Sequence, residues 1–197
     1  MAHSAGGKHA RLFAQHHPQD TAGIVLIDPR SEYIEDHMTA AEADAERTQQ
    51  QGFHRMLASM RPVGLIRLTW AALWPSMLPV TAKLPYDVRE TIGVLQSRPG
   101  DIATAQAENA SAAVDNDRLR DATLGEMPLV VLGSGMLVEQ NPHWRASLEY
   151  QAGLSTNSRL SIIPSSDHSI HWEAPALVVS TVHDVVEAAR MSKPLVR

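Results

Sequence analysis

The sequence predicts an α/β fold built on a parallel sheet, and two kinds of pattern support this prediction. Residues 23–28 and 128–133 are short, nearly continuous apolar runs with β-branched side chains, and residues 159–164 have the pattern of another short strand. Such runs are typical of parallel strands that are covered on both faces. Segments with the apolar spacing of helices separate these runs, and the last of them, at residues 176–190, is amphipathic. We therefore expect a half sheet of about three parallel strands flanked by helices.

Composition narrows the class of protein further. The 197 residues fit one domain or one domain with an insertion, and the hydrophobic content of 44% can fill a core. A net charge of −5 with interspersed signs predicts no nucleic-acid partner. The absence of cysteine excludes disulfides and thiolate metal sites. No apolar run is long enough to span a bilayer, so we expect a soluble, cytoplasmic protein without a membrane partner.

The first residues carry the strongest local pattern. Ala2 to Gly6 reads small-x-Ser-x-small and precedes a segment with helical spacing at residues 7–16. This is the shape of a nucleophile elbow, in which Ser4 lies on a tight strand-to-helix turn with its hydroxyl projecting from the backbone. The start of the helix would direct N–H groups at an oxyanion formed there. A phosphate-binding loop is excluded, since His9 stands where that motif needs Ser or Thr.

Asp28 follows the apolar residues 24–27 directly. An acid at the carboxyl end of a buried parallel strand lies on the edge where such sheets bind ligands. The same residue type also caps turns, so the position alone supports a functional and a structural interpretation equally.

Residues 34–126 have a different texture, which predicts an inserted helical cap. Helices are expected at residues 39–47 continuing to 60, at 63–74, 87–95 and 101–113, with a further turn or two within 115–124. Prolines separate these segments, and no strand pattern occurs among them. Five large apolar residues of this segment have two possible roles, which the sequence supports equally. They could line an apolar substrate pocket, or they could form ordinary core between the cap helices. These residues are Met56, Met60, Trp70, Trp74 and Met77.

The carboxyl-terminal part returns to the α/β pattern. Residues 133–135 (Gly-Ser-Gly) predict a flexible loop, and residues 143–154 predict a helix with an apolar face. The strand at 159–164 leads into a loop that contains both His168 and His171. The tail, residues 191–197, is expected to be loose.

Three of these features stand in a meaningful order along the chain. A serine elbow at Ser4 comes first, Asp28 follows the next strand, and His168 follows the last strand. His168 begins a His-x4-Glu-x-Pro run that reaches Glu173 and Pro175. Across essentially its whole length the chain resembles the α/β-hydrolase superfamily, in which the catalytic residues occur in the order Ser, acid, His. The resemblance implies a hydrolase core at residues 1–33 and 127–197 and a helical cap at residues 34–126.

The resemblance also implies roles for individual residues. Ser4 corresponds to the nucleophile that forms an acyl-enzyme, and His168 to the general base. His171 is the competing histidine of the same loop. The Ala5 N–H corresponds to an oxyanion-hole donor. A serine nucleophile argues against the dehalogenase and epoxide-hydrolase branches, which use an aspartate.

The acid of the triad has two candidates. In many members it follows the strand expected here at residues 129–133, but the loop 134–138 contains no carboxylate, and Glu139 comes late. In other members it follows the strand before the cap, where this chain has Asp28. We predict Asp28, with Glu139 as the alternative.

The chain departs from the family pattern at its start, since only residues 1–3 precede the elbow. The strand that should hold Ser4 and the loop with a second oxyanion donor are therefore expected to be missing. The exposed sheet edge would favour self-association. The predicted activity is hydrolysis of an ester or similar acyl bond in a small, fairly apolar substrate, with no metal or organic cofactor. The alternative is a truncated, non-catalytic fragment or a subunit that needs another polypeptide.

Overall fold

A parallel sheet of four strands organises the larger of two compact units. The computed structural model describes residues 1–60, 84–96, 104, 107, 116–120 and 122–195. The strands are β1 (Ala2–His3), β2 (Ile24–Ile27), β3 (Leu129–Ser134) and β4 (Ser158–Ile163), and they lie side by side in that order. All three strand pairs are parallel. The predicted α/β class and the parallel sheet are confirmed.

Helices connect and cover these strands. In chain order the described helices are α1 (Gly6–His16), α2 (Glu32–His37), α3 (Ala40–Met60), α4 (Tyr86–Gln96), α5 (Gly135–Gln140), α6 (Trp144–Ala152), α7 (Ile170–Glu173) and α8 (Pro175–Met191). A single turn of 3₁₀ helix at Pro18–Asp20 follows α1. Each parallel pair of strands is joined through helix, as parallel pairing requires.

The strand that leads into Ser4 is present, which corrects the expectation that it is missing. Ala2 pairs with Leu26 and His3 with Ile27, so two residues are enough to extend the sheet beyond β2. The Ser4 N–H continues this ladder by donating to the Ile27 carbonyl at 3.1 Å. β1 lies at one edge of the sheet. Self-association through that edge stays a prediction.

The two central strands form the interior of this unit. Every residue of β2 and β3 is buried. One side of the sheet packs against α8 through a continuous apolar cluster: Val25, Ile27, Val130, Leu132, Ile170, Val178, Val185, Ala188 and Leu195. Strands that are covered on both faces carry mainly apolar side chains. For this reason β2 and β3 were recognisable in the sequence as apolar runs.

The predicted flexible loop at residues 133–135 is wrong. Gly133 and Ser134 are the last residues of β3, and Gly135 begins α5. A Cβ at Gly133 would lie 2.4 Å from the Leu148 Cδ1 atom, so this glycine serves close packing of α6 on the sheet. The Ser134 hydroxyl accepts a hydrogen bond from the Leu137 N–H at 3.1 Å and caps α5.

Residues 191–195 of the carboxyl-terminal tail are also more ordered than expected. Ser192 has left-handed backbone, and the Lys193 N–H returns to the Ala188 carbonyl at 3.0 Å. The Leu195 N–H donates to the Asn157 side chain at 2.7 Å, and the Leu195 side chain is buried. One polar and one apolar contact together hold residues 193–195 against the unit.

Residues 38–112 form the second compact unit, whereas residues 1–37 and 113–197 form the first. A capping box begins α3, since Thr39 and Glu42 exchange hydrogen bonds between side chain and backbone N–H. The helix predicted at 87–95 is observed as α4. No described helix has the length and apolar character needed to cross a membrane.

Several predictions for this segment fall on residues outside the described ones. They are the helix at 63–74, the helix at 101–113 apart from residues 104 and 107, and the pocket residues Trp70, Trp74 and Met77. Of the other two, Met56 is exposed on α3, with 40% of its surface accessible, and Met60 closes the same helix. The core at 1–33 and 127–197 with a cap at 34–126 stays a prediction.

Candidate active site

Ser4 occupies a strained turn between β1 and α1. Its φ of 54° places a non-glycine residue in the left-handed region. Besides the bond from its own N–H, the Ser4 carbonyl accepts from the N–H groups of Gly7 at 3.0 Å and Arg30 at 3.2 Å. Backbone strain persists only where several contacts enforce it, and three hydrogen bonds do so here. A Cβ on Gly7 would lie 2.8 Å from the Pro29 Cβ, so the turn needs glycine at that position.

Asp28 lies at the end of the neighbouring strand and is entirely buried. It too has left-handed backbone, with φ of 43°, and its N–H donates to the Leu132 carbonyl at 2.6 Å. Two neutral donors reach its Oδ1 atom: the Ser134 N–H at 2.9 Å and the Trp144 Nε1–H at 2.8 Å. These bonds satisfy one carboxylate oxygen and hold the other in a single direction.

That second oxygen, Oδ2, lies 2.6 Å from His168 Nδ1. An ionised carboxylate can only accept, so the His168 Nδ1 carries the proton of this hydrogen bond. The arrangement leaves Nε2 of the neutral ring as an acceptor. The His168 side chain is 37% exposed, whereas the Asp28 side chain is fully buried. The pair therefore joins a buried, oriented acid to an accessible base.

The loop around His168 is held at several points. The Ser134 hydroxyl donates to the Ser166 carbonyl at 2.7 Å, and the Asp167 N–H donates to Glu173 at 2.9 Å. Asp167 in turn accepts from the Ser169 N–H at 2.6 Å. Glu173 of the His-x4-Glu-x-Pro run therefore holds the end of α7 against the loop.

The structure gives the carboxylate to His168 and not to His171. Nδ1 of His171 is buried, and no hydrogen-bond partner for it occurs in the described part of the chain. Burial lowers the pKa of His171, and the neighbouring His168 lowers it further. Its ring packs against that of His3, with centroids 4.6 Å apart. A base oriented by an acid is therefore present only at His168 among these two.

The other predicted site residues are placed as follows. Glu139 is exposed on α5, whereas Asp28 is the acid that reaches His168. Ala5 stands at the start of α1, and its N–H has no hydrogen-bond acceptor among the described residues. The Ser4 hydroxyl likewise makes no hydrogen bond within the part of the chain that the structure describes. Ser4 and Asp28 follow the paired residues His3 and Ile27, so they share one edge of the sheet.

Sequence reasoning missed three contributors to this site: His3, Ser134 and Trp144. Trp144 belongs to the helix with an apolar face that was predicted at residues 143–154, and Ser134 belongs to the loop that was predicted at residues 133–135. Their donors reach Asp28 only because α6 and the end of β3 meet at that point. His3 had one available signal, since a residue next to the elbow serine must lie beside the site.

A second polar cluster lies behind the elbow. Arg11 makes two hydrogen bonds to the Glu32 carboxylate, at 2.9 and 2.6 Å, and the Tyr150 hydroxyl donates to the same carboxylate at 2.7 Å. Burial alone would raise the pKa of Glu32, but the hydrogen bonds and charge of Arg11 outweigh burial and lower it. Burial and the Glu32 charge raise the pKa of Tyr150 to about 12. The cluster fixes α1 to α2 and α6.

The described residues include no group of three histidine or acidic side chains arranged to hold a metal ion. What the geometry can do chemically is move a proton. An oriented imidazole, a serine on a strained turn and the Ala5 N–H, which has no acceptor among the described residues, lie along one sheet edge.

Comparison with known proteins shows the fold. No protein-family model matches the chain, and no curated protein matches it either. Among solved structures, the chain is similar to MenH from S. aureus, with a TM-score of 0.54 and 17% sequence identity. The match covers 95% of this chain and 67% of the MenH chain. This likeness, together with the parallel sheet and its helices, shows an α/β-hydrolase fold.

Proposed function

We propose that the chain is a serine hydrolase that cleaves an ester or similar acyl bond in a small, fairly apolar substrate. The observation that carries this proposal is the Asp28–His168 hydrogen bond, 2.6 Å long, at the edge of the sheet where Ser4 lies. A base oriented by a buried acid and a serine on a strand-to-helix turn together support acyl transfer. The substrate class rests on the apolar residues of the segment 34–126.

In the first half-reaction, Ser4 Oγ would attack the carbonyl carbon while its proton passes to His168 Nε2. The resulting imidazolium is stabilised by the Asp28 carboxylate, which accepts from Nδ1. Collapse of the tetrahedral intermediate breaks the bond to the leaving group, which takes the proton from Nε2. The products are an alcohol and an acyl ester on Ser4. A water molecule then repeats the sequence and releases the acid.

The Ala5 N–H and the start of α1 would stabilise the oxyanion of both intermediates. α1 is 11 residues long, so its N-terminal turn carries a useful positive partial charge. Because the Ala5 N–H has no acceptor among the described residues, it is available to a developing negative charge.

The rival is a non-catalytic chain, and one observation favours it: the Ser4 hydroxyl makes no hydrogen bond to the described part of the chain, His168 included. Catalytic hydrogen bonds are often long in the absence of substrate and shorten when it binds. For that reason we prefer the hydrolase, and an experiment separates the two.

The purified chain and its Ser4→Ala variant are assayed on short p-nitrophenyl esters and labelled with a fluorophosphonate probe. We expect Ser4→Ala to lower turnover by on the order of 10⁴–10⁶-fold and to abolish labelling. Ser192→Ala is the matched control, since Ser192 is also a left-handed serine but lies at the end of α8. Equal turnover in the chain and in Ser4→Ala would refute the proposal.

A further inference from the structure

His3 is the neighbour of Ser4 in the chain and contacts His168 in space. It is the last residue of β1 and directly precedes Ser4. Its Nε2 atom lies 2.8 Å from the backbone carbonyl oxygen of His168. Its ring also packs against the His168 ring, with centroids 4.4 Å apart. A single side chain thus joins the strand of the serine to the backbone of the histidine.

The chemistry of this contact fixes the protonation of His3. A carbonyl oxygen can only accept, so Nε2 of His3 carries the hydrogen and donates it. Burial lowers the pKa of His3, and the His168 and His171 rings that face it add to this effect. The Asp28 carboxylate and the bond to the His168 carbonyl act in the opposite direction without reversing it. A neutral ring with its proton on Nε2 satisfies all these neighbours.

The other ties of the loop hold different atoms. Ser134 holds the Ser166 carbonyl, and Asp28 holds the side chain of His168 through Nδ1. A ring held only at Nδ1 can still swing about that bond, which would move Nε2 with respect to Ser4. The backbone of His168 needs its own anchor if that movement is to be prevented, and His3 supplies one from the residue next to the nucleophile.

We propose that His3 is a positioning residue: its hydrogen bond to the His168 carbonyl sets the distance between the general base and Ser4. The inference rests on the proposed function, because it concerns the geometry of the same Ser4–His168 pair. His3 does not exchange protons with substrate, and its effect is transmitted through the backbone of His168.

Two amide side chains test this directly. In His3→Gln the amide nitrogen reaches about as far as Nε2 of histidine, whereas in His3→Asn it is too short to reach the carbonyl. We expect His3→Asn to lower kcat about tenfold with little change in KM, and His3→Gln to restore most of kcat. His17→Asn is the control, since His17 is an exposed histidine at the end of α1.

A second readout does not depend on turnover. The proton between His168 Nδ1 and Asp28 resonates far downfield in proton NMR when the ring is held, and it broadens when the ring moves and exchanges with water. We expect broadening in His3→Asn and a sharp signal in His3→Gln. If the unmodified chain lacks Ser4-dependent turnover, the proposed function fails, and this proton still decides the role of His3.

Three results would overturn the inference. The first is a His3→Asn chain with unchanged kcat and an unchanged downfield proton. The second is equal impairment of His3→Asn and His3→Gln, since the ring itself would then be needed. The third is a His3→Asn chain that does not fold while His3→Gln does, since the contact would then serve the fold and not the base.

Discussion

Asp28 and Glu32 are two acids at the same end of β2, four residues apart, and both are fully enclosed, with 0% and 1% of their surface accessible. Their partners differ in kind. Asp28 accepts from neutral donors and from His168, whose side chain is 37% exposed. Glu32 accepts from Arg11, whose side chain is 1% exposed, and from Tyr150.

The partner of a buried carboxylate decides what the pair can do chemically. Arginine does not release its proton at any accessible pH, so the Glu32 pair cannot take part in proton transfer. An imidazole can both accept and release a proton, and a partly exposed ring can exchange that proton with a substrate. Burial of the acid is common to both pairs, and the chemistry and exposure of its partner distinguish a pair that can transfer a proton from one that can only hold the fold together.

The largest effect is expected from a substitution that disrupts the Asp28–His168 pair. In Asp28→Asn the two donors to Oδ1 would hold the amide oxygen there and turn the NH₂ group toward His168 Nδ1. The ring would then carry its proton on Nε2, which is the wrong tautomer for a base. We expect turnover on p-nitrophenyl esters to fall about 10⁴-fold, with the fold retained by circular dichroism.

Glu139→Gln is the control for that variant, because Glu139 is the alternative acid and is exposed on α5. We expect its turnover to stay close to that of the unmodified chain. A large loss in Glu139→Gln, together with an active Asp28→Asn, would move the acid to Glu139.

The next largest effect is expected from a substitution that disrupts the Arg11–Glu32 pair. Glu32→Gln leaves the enclosed Arg11 guanidinium without its counter-charge, and we expect a loss of about 3–5 kcal/mol in the free energy of unfolding. Urea denaturation measures it. Ester turnover per folded molecule should change only a few-fold, because Glu32 does not reach His168. A loss of turnover comparable to that of Asp28→Asn would show that the two pairs are coupled.

The pH dependence of stability tests the contacts of Glu32 with Arg11 and Tyr150 in another way. The pKa of Glu32 is lowered below 4.5, so its contribution is present above pH 4.5 and is lost as the pH falls through the folded-state pKa. The pKa of Tyr150 is raised from 10.0 to about 12, so its contribution is present below pH 10 and is lost as the pH rises toward 12. Denaturation at pH 3, 7 and 11 should show both losses. They should shrink in Glu32→Gln and Tyr150→Phe respectively, and unchanged pH profiles would contradict the assignment.

The smallest expected effect concerns the orientation of Asp28. Trp144→Phe keeps most of the ring but removes the Nε1–H donor to Oδ1, leaving the Ser134 N–H as its donor. We expect kcat to fall about tenfold. Trp172→Phe, on α7, makes the same change away from Asp28 and should leave kcat within about twofold. Equal kcat values in the two variants would show that the Ser134 N–H alone orients the acid.

Local patterns in the sequence predicted the α/β fold class and three of the four strands that the structure describes. Continuous apolar runs predicted β2 and β3, because a parallel strand that is buried on both faces carries mainly apolar side chains. The small-x-Ser-x-small pattern at residues 2–6 predicted the turn at Ser4, because small residues are needed where segments of the chain come close together. The pairing of Asp28 with His168 was expected from the resemblance to α/β-hydrolases, with Glu139 as the alternative acid, and the structure brings Asp28 and His168 together at one edge of the sheet.

Tertiary structure alone decided the remaining features. Whether Ala2–His3 pairs as a strand depends on an open edge at β2, and the sequence of two residues carries no such information. The donors to Asp28 come from β3 and from α6, 106 and 116 residues away, and the tie from His3 to His168 spans 165 residues. Polar contacts of this range leave no periodic trace in a sequence, because each depends on one pair of atoms and not on a repeated face.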